Sequence, residues 1–186
     1  MFETFNCAGL YIAAQAVLAL AASWTSSKAQ DGSLTGTVVD SGHSATQVIP
    51  VAEGYVIGSS IKSIPVAGRH ITSFVQSLLH GRREPSSSKE TAQRIKEEEF
   101  CYVCQDIVKE FTRFDREPEM FQKYVAEQEP GGPQVTVDVG YERFLAPEIL
   151  FHPEICSSDF LTPLPTVVDT VIQSSPIDIR RGLYKV

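Results

Sequence analysis

LTGTVVDSGHSATQVIPV, residues 34–51, decides how the chain is read. Thr37, Val38 and Val39 are β-branched, as are Thr46, Val48, Ile49 and Val51, and between the two runs stand Asp40, Ser41, Gly42, His43 and Ser44. Branched side chains suit a pleated strand, whereas small hydrogen-bonding residues suit a turn, so the stretch predicts a hairpin with a polar tip. The tip is chemically equipped. An aspartate ending the first strand can hold a hydrated Mg²⁺, and the amides of residues 41–44 can converge on phosphate oxygens. The same five residues also serve as a plain turn, because a DSG tripeptide alone is not specific.

Working outward, composition bounds the rest. The 186 residues are 42% hydrophobic and 21% charged, enough for one compact domain or two small lobes. Net charge is −7 and there is no long basic run, which argues against a nucleic-acid partner. Residues 8–22 are nearly all apolar, but the flank before them carries Glu3 and no Lys or Arg, the wrong sign for a secretory leader. Fifteen residues are also too few for a bilayer span of about 20, so no membrane insertion is expected. The expectation is that residues 1–23 hold an entry segment and one buried helix, a hinge or core element, in a cytosolic protein. Gln15 is its strongly polar side chain after Asn6, and a buried amide needs partners, so it is expected to face a polar cleft or to be satisfied structurally. Cys101 and Cys104 make a C-x-x-C without a second pair or a His at ligand spacing, so packed, reduced thiols are expected.

In chain order, residues 24–33 read as a surface loop and residues 53–55 and 61–66 as further strand-like runs, suggesting a mixed sheet built from hairpins. After Gly68, Ile71, Phe74, Val75, Leu78 and Leu79 fall at helical spacing on one face. Residues 82–88 form a charged, Pro/Ser-rich linker, and Ser87 with Glu90 has capping-box spacing for a helix over 91–100. Residues 111–133 read as a charged surface excursion ending in a Pro/Gly break, 134–139 as an edge strand, and 140–151 as a turn and short helix. Residues 163–175 give a last helix, with Val167, Val168, Val171 and Ile172 on its apolar stripe.

These pieces have a familiar order. LYIAAQAVLALAAS precedes the hairpin, and VIPVAEGYVIG, PVAGRHIT, TAQRIKE, GYERFLAPEILFHPE and PIDIRRGLYKV follow it. Together they resemble the actin superfamily, from Phe2 to Tyr184. CYVCQDIVKEF and FLTPLPTVVD look more like its actin-related branch, which serves the filament-branching complex, than like actin itself. The resemblance implies an α/β fold of the actin-like ATPase (ribonuclease H-like) kind, partial, with a mixed sheet and flanking helices. The implied segments are 1–30 (hinge helix and connecting loop), 31–66 (large-lobe core with the hairpin), 67–156 (outer large-lobe subdomain) and 157–186 (return to the large-lobe core). The implied cofactors are ATP and Mg²⁺, the latter on Asp40 through water. Asp40, Ser41, Gly42, His43 and Ser44 would meet the phosphates, Gly68 the ribose and phosphates, and Lys96 and Glu97 the adenine and ribose. Because IKEEEFCYV is one residue longer than in the family, either Glu97 or Glu98 takes the ribose position. Gln15 and Gln47 would place the attacking water, the only catalytic role the resemblance implies. Gly68 also reads as a plain helix-start glycine, and His70 stands where actins carry an acidic residue.

The chain departs from the family at the tip, where His43 replaces an aspartate, Ser44 a glycine and Gln47 a histidine. An amide cannot accept a proton near neutral pH, so the expectation is phosphate contact with poor hydrolysis. The resemblance further implies a first phosphate hairpin and a Ser-Gly-Gly loop that these residues do not include, so the chain is expected to be a fragment. Three functions compete: a nucleating, cytoskeletal subunit that is not an enzyme and partners actin and the other subunits of the branching complex; a slow ATPase; and a degenerate fragment without nucleotide.

Overall fold

The computed structural model describes residues 2–23, 34–97, 100–127 and 133–184. In order these form α1 (Phe2–Phe5), α2 (Gln15–Ser23), β1 (Gly36–Ser41), β2 (Thr46–Ala52), β3 (Tyr55–Val56), β4 (Lys62–Ile64), α3 (Gly68–Gly81), α4 (Lys89–Glu97), α5 (Ile107–Arg116), β5 (Gln122–Glu127), β6 (Gln134–Val139), α6 (Glu142–Glu148), α7 (Leu164–Ser174) and α8 (Arg180–Leu183). They make two compact units: one of Met1–Asp40, Gln47–Ser63 and Val167–Val186, the other of Ser41–Thr46 and Ile64–Thr166.

The first unit is built on the hairpin. Strands β1, β2 and β3 lie side by side, and β4 also pairs with β2. Glu53 and Gly54 turn the chain from β2 into β3 with Ala52 opposite Tyr55, both at positive φ (51° and 83°), as a two-residue turn matched to strand twist demands. Val48 and Val51 on β2 are fully buried, as are Val171 and Ile172 on α7 and Leu183 on α8. The Thr37 hydroxyl donates to the Leu183 carbonyl (3.1 Å), and a Cβ on Gly182 would come within 2.8 Å of Thr35, so α8 lies close against the start of β1.

The expected buried helix over 1–23 is not one helix and is not buried. Its helical parts are α1 and α2, Asn6 takes a left-handed φ of 49° after α1, and only Ala16 in α2 is buried. The physical reason is that a short helix draws its stability from packing one face, and α2 offers small apolar side chains all round with little to pack on. Residues 24–33, expected as a loop, lie outside the described residues.

The second unit holds the larger core: Val75 and Leu79 of α3, Ala92 and Ile95 of α4, Ala126 of β5, Val137 and Val139 of β6, and Ala146 of α6. The excursion expected over 111–133 is instead folded structure, apart from 128–132, which lie outside the described residues. Phe114 on α5 is 1% exposed and meets Phe144 at 5.2 Å and Phe121 at 5.7 Å between ring centroids. Lys109, Arg113, Asp115 and Arg116 of α5 are exposed, and this run of charge hides the apolar stripe in the linear sequence. Strand β5 pairs antiparallel with β6, from Gln122 opposite Val139 to Glu127 opposite Gln134. Below the rings, fully buried Glu142 receives both carboxylate hydrogen bonds from Arg82 (2.8 Å each) and a third from the Gly140 amide (2.8 Å). A buried carboxylate is tolerable on those terms.

Candidate functional site at the hairpin tip

The turn begins two residues later than expected and ends one residue later. Asp40 and Ser41 belong to β1, and the loop proper is residues 42–45, closed by the Gly42 amide donating to the Ala45 carbonyl (3.1 Å). Beneath it, buried Thr46 shares a hydrogen bond with the Ser41 hydroxyl (2.8 Å) and donates to the Val66 carbonyl (2.7 Å). The sequence pointed to Thr46 as a strand residue but not as this brace.

Within the second unit the tip is pinned to α3. The Gly68 amide donates to the Gly42 carbonyl (3.0 Å) and the Arg69 amide to the His43 carbonyl (2.9 Å), while the next two helix amides, His70 and Ile71, both reach the Ala67 carbonyl. Every amide of the helix's first turn is therefore spoken for. The amides of His43 and Ser44, by contrast, meet no acceptor among the described residues, and both residues are exposed. Carbonyls held inward and amides left open are what a backbone nest for an anion requires.

Gly68 stands where α3 meets the turn. A Cβ there would lie 3.2 Å from the Gly42 carbonyl oxygen, 3.6 Å from His43 Cα and 3.6 Å from Lys96 Nζ. Lys96 reaches the same place, its ammonium 3.4 Å from the Gly68 carbonyl. Glu97 is exposed and accepts from Gln93 (2.9 Å), and Glu98, the other candidate for the ribose, lies outside the described residues. The helix carrying this pair is capped by Ser88, whose hydroxyl accepts from the Thr91 amide (3.0 Å), rather than by Ser87 with Glu90. Linear spacing could not separate two adjacent serines.

In the first unit, Gln15 and Asp40 line one cavity of about 130 Å³ with Ala16, Ala19, Val38, Val39 and Ile49. Gln15 is exposed, not buried as expected, because α2 lies open along most of its length. Gln47 is exposed on β2 and does not line that cavity. The Asp40 carboxylate has no hydrogen-bond or ion-pair partner among the described residues, which suits the single outer contact that a hydrated Mg²⁺ asks of a protein. A roomier cavity, about 400 Å³, is lined by Glu90, Thr91, Arg94, Tyr124, Val125, Ala126 and Gln134; none of the expected site residues is among them.

His70, in the first turn of α3, is held below the usual imidazole range by burial and then by Arg69; its ring meets Phe160 edge-on at 5.4 Å, and its buried Nδ1 has no partner among the described residues. Cys101 is pushed up to about 11, chiefly by burial, so its thiol stays protonated and unreactive at neutral pH.

A chain of mixed helices and strands is consistent with an actin-like fold, and residues 1–85 match the family model for actin: the chain belongs to the actin family. Over its length it is similar to proteins named actin-related protein 3. Identity is 77% to that of Neurospora crassa (99% of this chain, 42% of the relative), 72% to that of Schizosaccharomyces pombe (100% and 43%) and 68% to that of Saccharomyces cerevisiae (98% and 40%). The chain thus spans about four tenths of the length of these curated relatives.

Proposed function

We propose that this chain supplies the phosphate-gripping part of an actin-related protein 3-like subunit, which binds ATP with Mg²⁺ and works in the cytoplasm with actin and the other subunits of the actin-related protein 2/3 complex to start branched filaments. The names of the relatives support the assignment to the cytoskeleton. The observation that carries the nucleotide reading is the tip pinned through Gly42 and His43 to Gly68 and Arg69, with the His43 and Ser44 amides left open. When bound, Mg²⁺ supplies charge that neutralises the phosphates, and Asp40 would hold it through water. Gly68 and Lys96 border the tip where ribose or phosphate would lie, and Glu97 ends the same helix.

ATP acts here as a conformational ligand, selecting one arrangement of the protein, more than as a substrate. Gln15 shares a cavity with Asp40 and can orient water, which supports a weak ATPase as the second reading. Neither Gln15 nor Gln47 can take a proton from water near neutral pH, so hydrolysis is slow. The test is a thermal melt with Mg-ATP: at a hundredfold excess over Kd the native state gains about 2.7 kcal/mol. An unchanged melting temperature overturns nucleotide binding, and phosphate release well above a no-protein control overturns the non-enzymatic reading.

A further inference from the structure

Serine or threonine stands directly before proline twice in the chain, at Thr162-Pro163 and Ser175-Pro176, and the fold treats the two oppositely. Ser175 is 1% exposed, and its hydroxyl donates to the Val171 carbonyl (2.9 Å), four residues back on α7. Thr162 is exposed, and its hydroxyl has no hydrogen-bond partner among the described residues. The segment that carries it is braced on both sides. Before it, the Phe160 amide donates to the Ser157 carbonyl (3.2 Å) and the Phe160 ring meets His70 edge-on; after it, the Leu164 amide donates to the Leu150 carbonyl (2.9 Å). Proline keeps the residue before it out of the helical region, so Thr162 stands in extended chain and α7 begins only at Leu164. A proline-directed protein kinase needs a hydroxyl it can reach, with proline next in sequence. Thr162 meets both demands, and Ser175 meets only the second.

We infer that Thr162 is a phosphorylation site for a proline-directed kinase, and that its phosphate is a charge switch on this loop. In the step, Thr162 Oγ1 attacks the γ-phosphorus of the ATP held by the kinase. The Oγ1–P bond forms as the bond from that phosphorus to the β,γ-bridging oxygen breaks, ADP leaves with the electron pair, and the hydroxyl proton passes to the kinase's catalytic carboxylate. The consequence is local. Leu161 is 72% exposed and Ile155 is exposed too, so the unmodified loop shows apolar side chains to solvent. A phosphate of charge about −1.5 to −2 beside Leu161, in a loop that already carries exposed Glu154 and Asp159, turns that surface anionic. Helix α7 starts two residues on and presents the positive end of its dipole, so the modification does not unseat it.

The experiment incubates the folded full chain with Mg-ATP and a purified proline-directed kinase, beside a synthetic peptide of residues 158–180 that carries both motifs without the fold, and maps the label by mass spectrometry. The native chain is expected to take phosphate on Thr162 at least about tenfold faster than on Ser175, whereas the peptide takes it on both at rates within about threefold. Thr162→Ser should keep the label, and Thr162→Ala and Pro163→Ala should lose it. The phosphorylated chain should leave a hydrophobic-interaction column earlier than the unmodified one. A native chain without label on Thr162, or one labelled equally on Thr162 and Ser175, overturns the site. Unchanged retention after phosphorylation overturns the switch.

Discussion

At the scale of single residues, two side chains next to the tip respond differently to change. Gly68 has no room for a methyl group without a shift, since its Cβ would press on the Gly42 carbonyl at 3.2 Å. Gly68→Ala is expected to raise the dissociation constant for ATP roughly tenfold, short of the hundredfold that a 1 Å misplacement can cost. Its melting temperature should change little, because alanine favours the helix that the methyl disturbs. A large loss of stability with intact affinity would make Gly68 a packing residue only. His70 responds to pH instead. Its folded pKa lies below that of the unfolded chain, through burial and then Arg69, so the unfolded state takes up its proton first as pH falls. The stability it contributes is complete above about pH 6.5 and is lost as acidification proceeds towards the folded value. Melting temperatures measured from pH 7.5 to 5 should therefore fall more steeply for the parent than for His70→Gln; parallel curves would exclude His70 as the source. The types of the tip residues were legible in the sequence because turn chemistry is local. The exposure of Gln15 was not, because it depends on what α2 packs against.

Elements were legible in proportion to how openly their period shows. Helix α3 announced itself through Val75 and Leu79, which are fully buried as the spacing requires. Helix α5 did not, since Lys109, Glu110, Arg113, Asp115 and Arg116 crowd a segment whose buried stripe includes Phe114. Asp106 caps it by accepting from the Val108 and Lys109 amides (3.1 Å each), a signal two residues wide that a charge-rich stretch obscures. The start of α4 allows a clean comparison. Ser88 accepts from the Thr91 amide, while the Ser87 carbonyl accepts instead from the Gln76 side chain of α3. Ser88→Ala should cost about 1 kcal/mol, the usual worth of a cap, and Ser87→Ala much less. Since Lys96 rides on the last turn of this helix, Ser88→Ala should also weaken ATP binding. Denaturant melts of the two variants decide the matter, and equal losses would restore the capping box.

Across the molecule as a whole, apolar side chains are gathered tightly in one place and left open in another. The second unit gathers Phe111, Phe114, Phe121, Tyr141 and Phe144 into one ring cluster, where centroids lie between 5.0 and 6.3 Å apart in the contacting pairs. Such a core tolerates no truncation, and Phe114→Ala should cost about 3–5 kcal/mol. The first unit leaves Phe5 71%, Tyr11 89% and Ile12 86% exposed. Apolar side chains clustered in so short a segment bind dyes and one another when nothing covers them. The chain on its own is therefore expected to bind a hydrophobic dye in its native state and to self-associate as concentration rises. Replacing Tyr11 and Ile12 together by serine should remove much of both effects while leaving the melting temperature within a few degrees, since neither side chain is buried. Sedimentation of the parent and the double variant across a concentration series provides the check. A parent that stays monomeric and dark to the dye would mean that Phe5, Tyr11 and Ile12 find cover, against the exposure they have here.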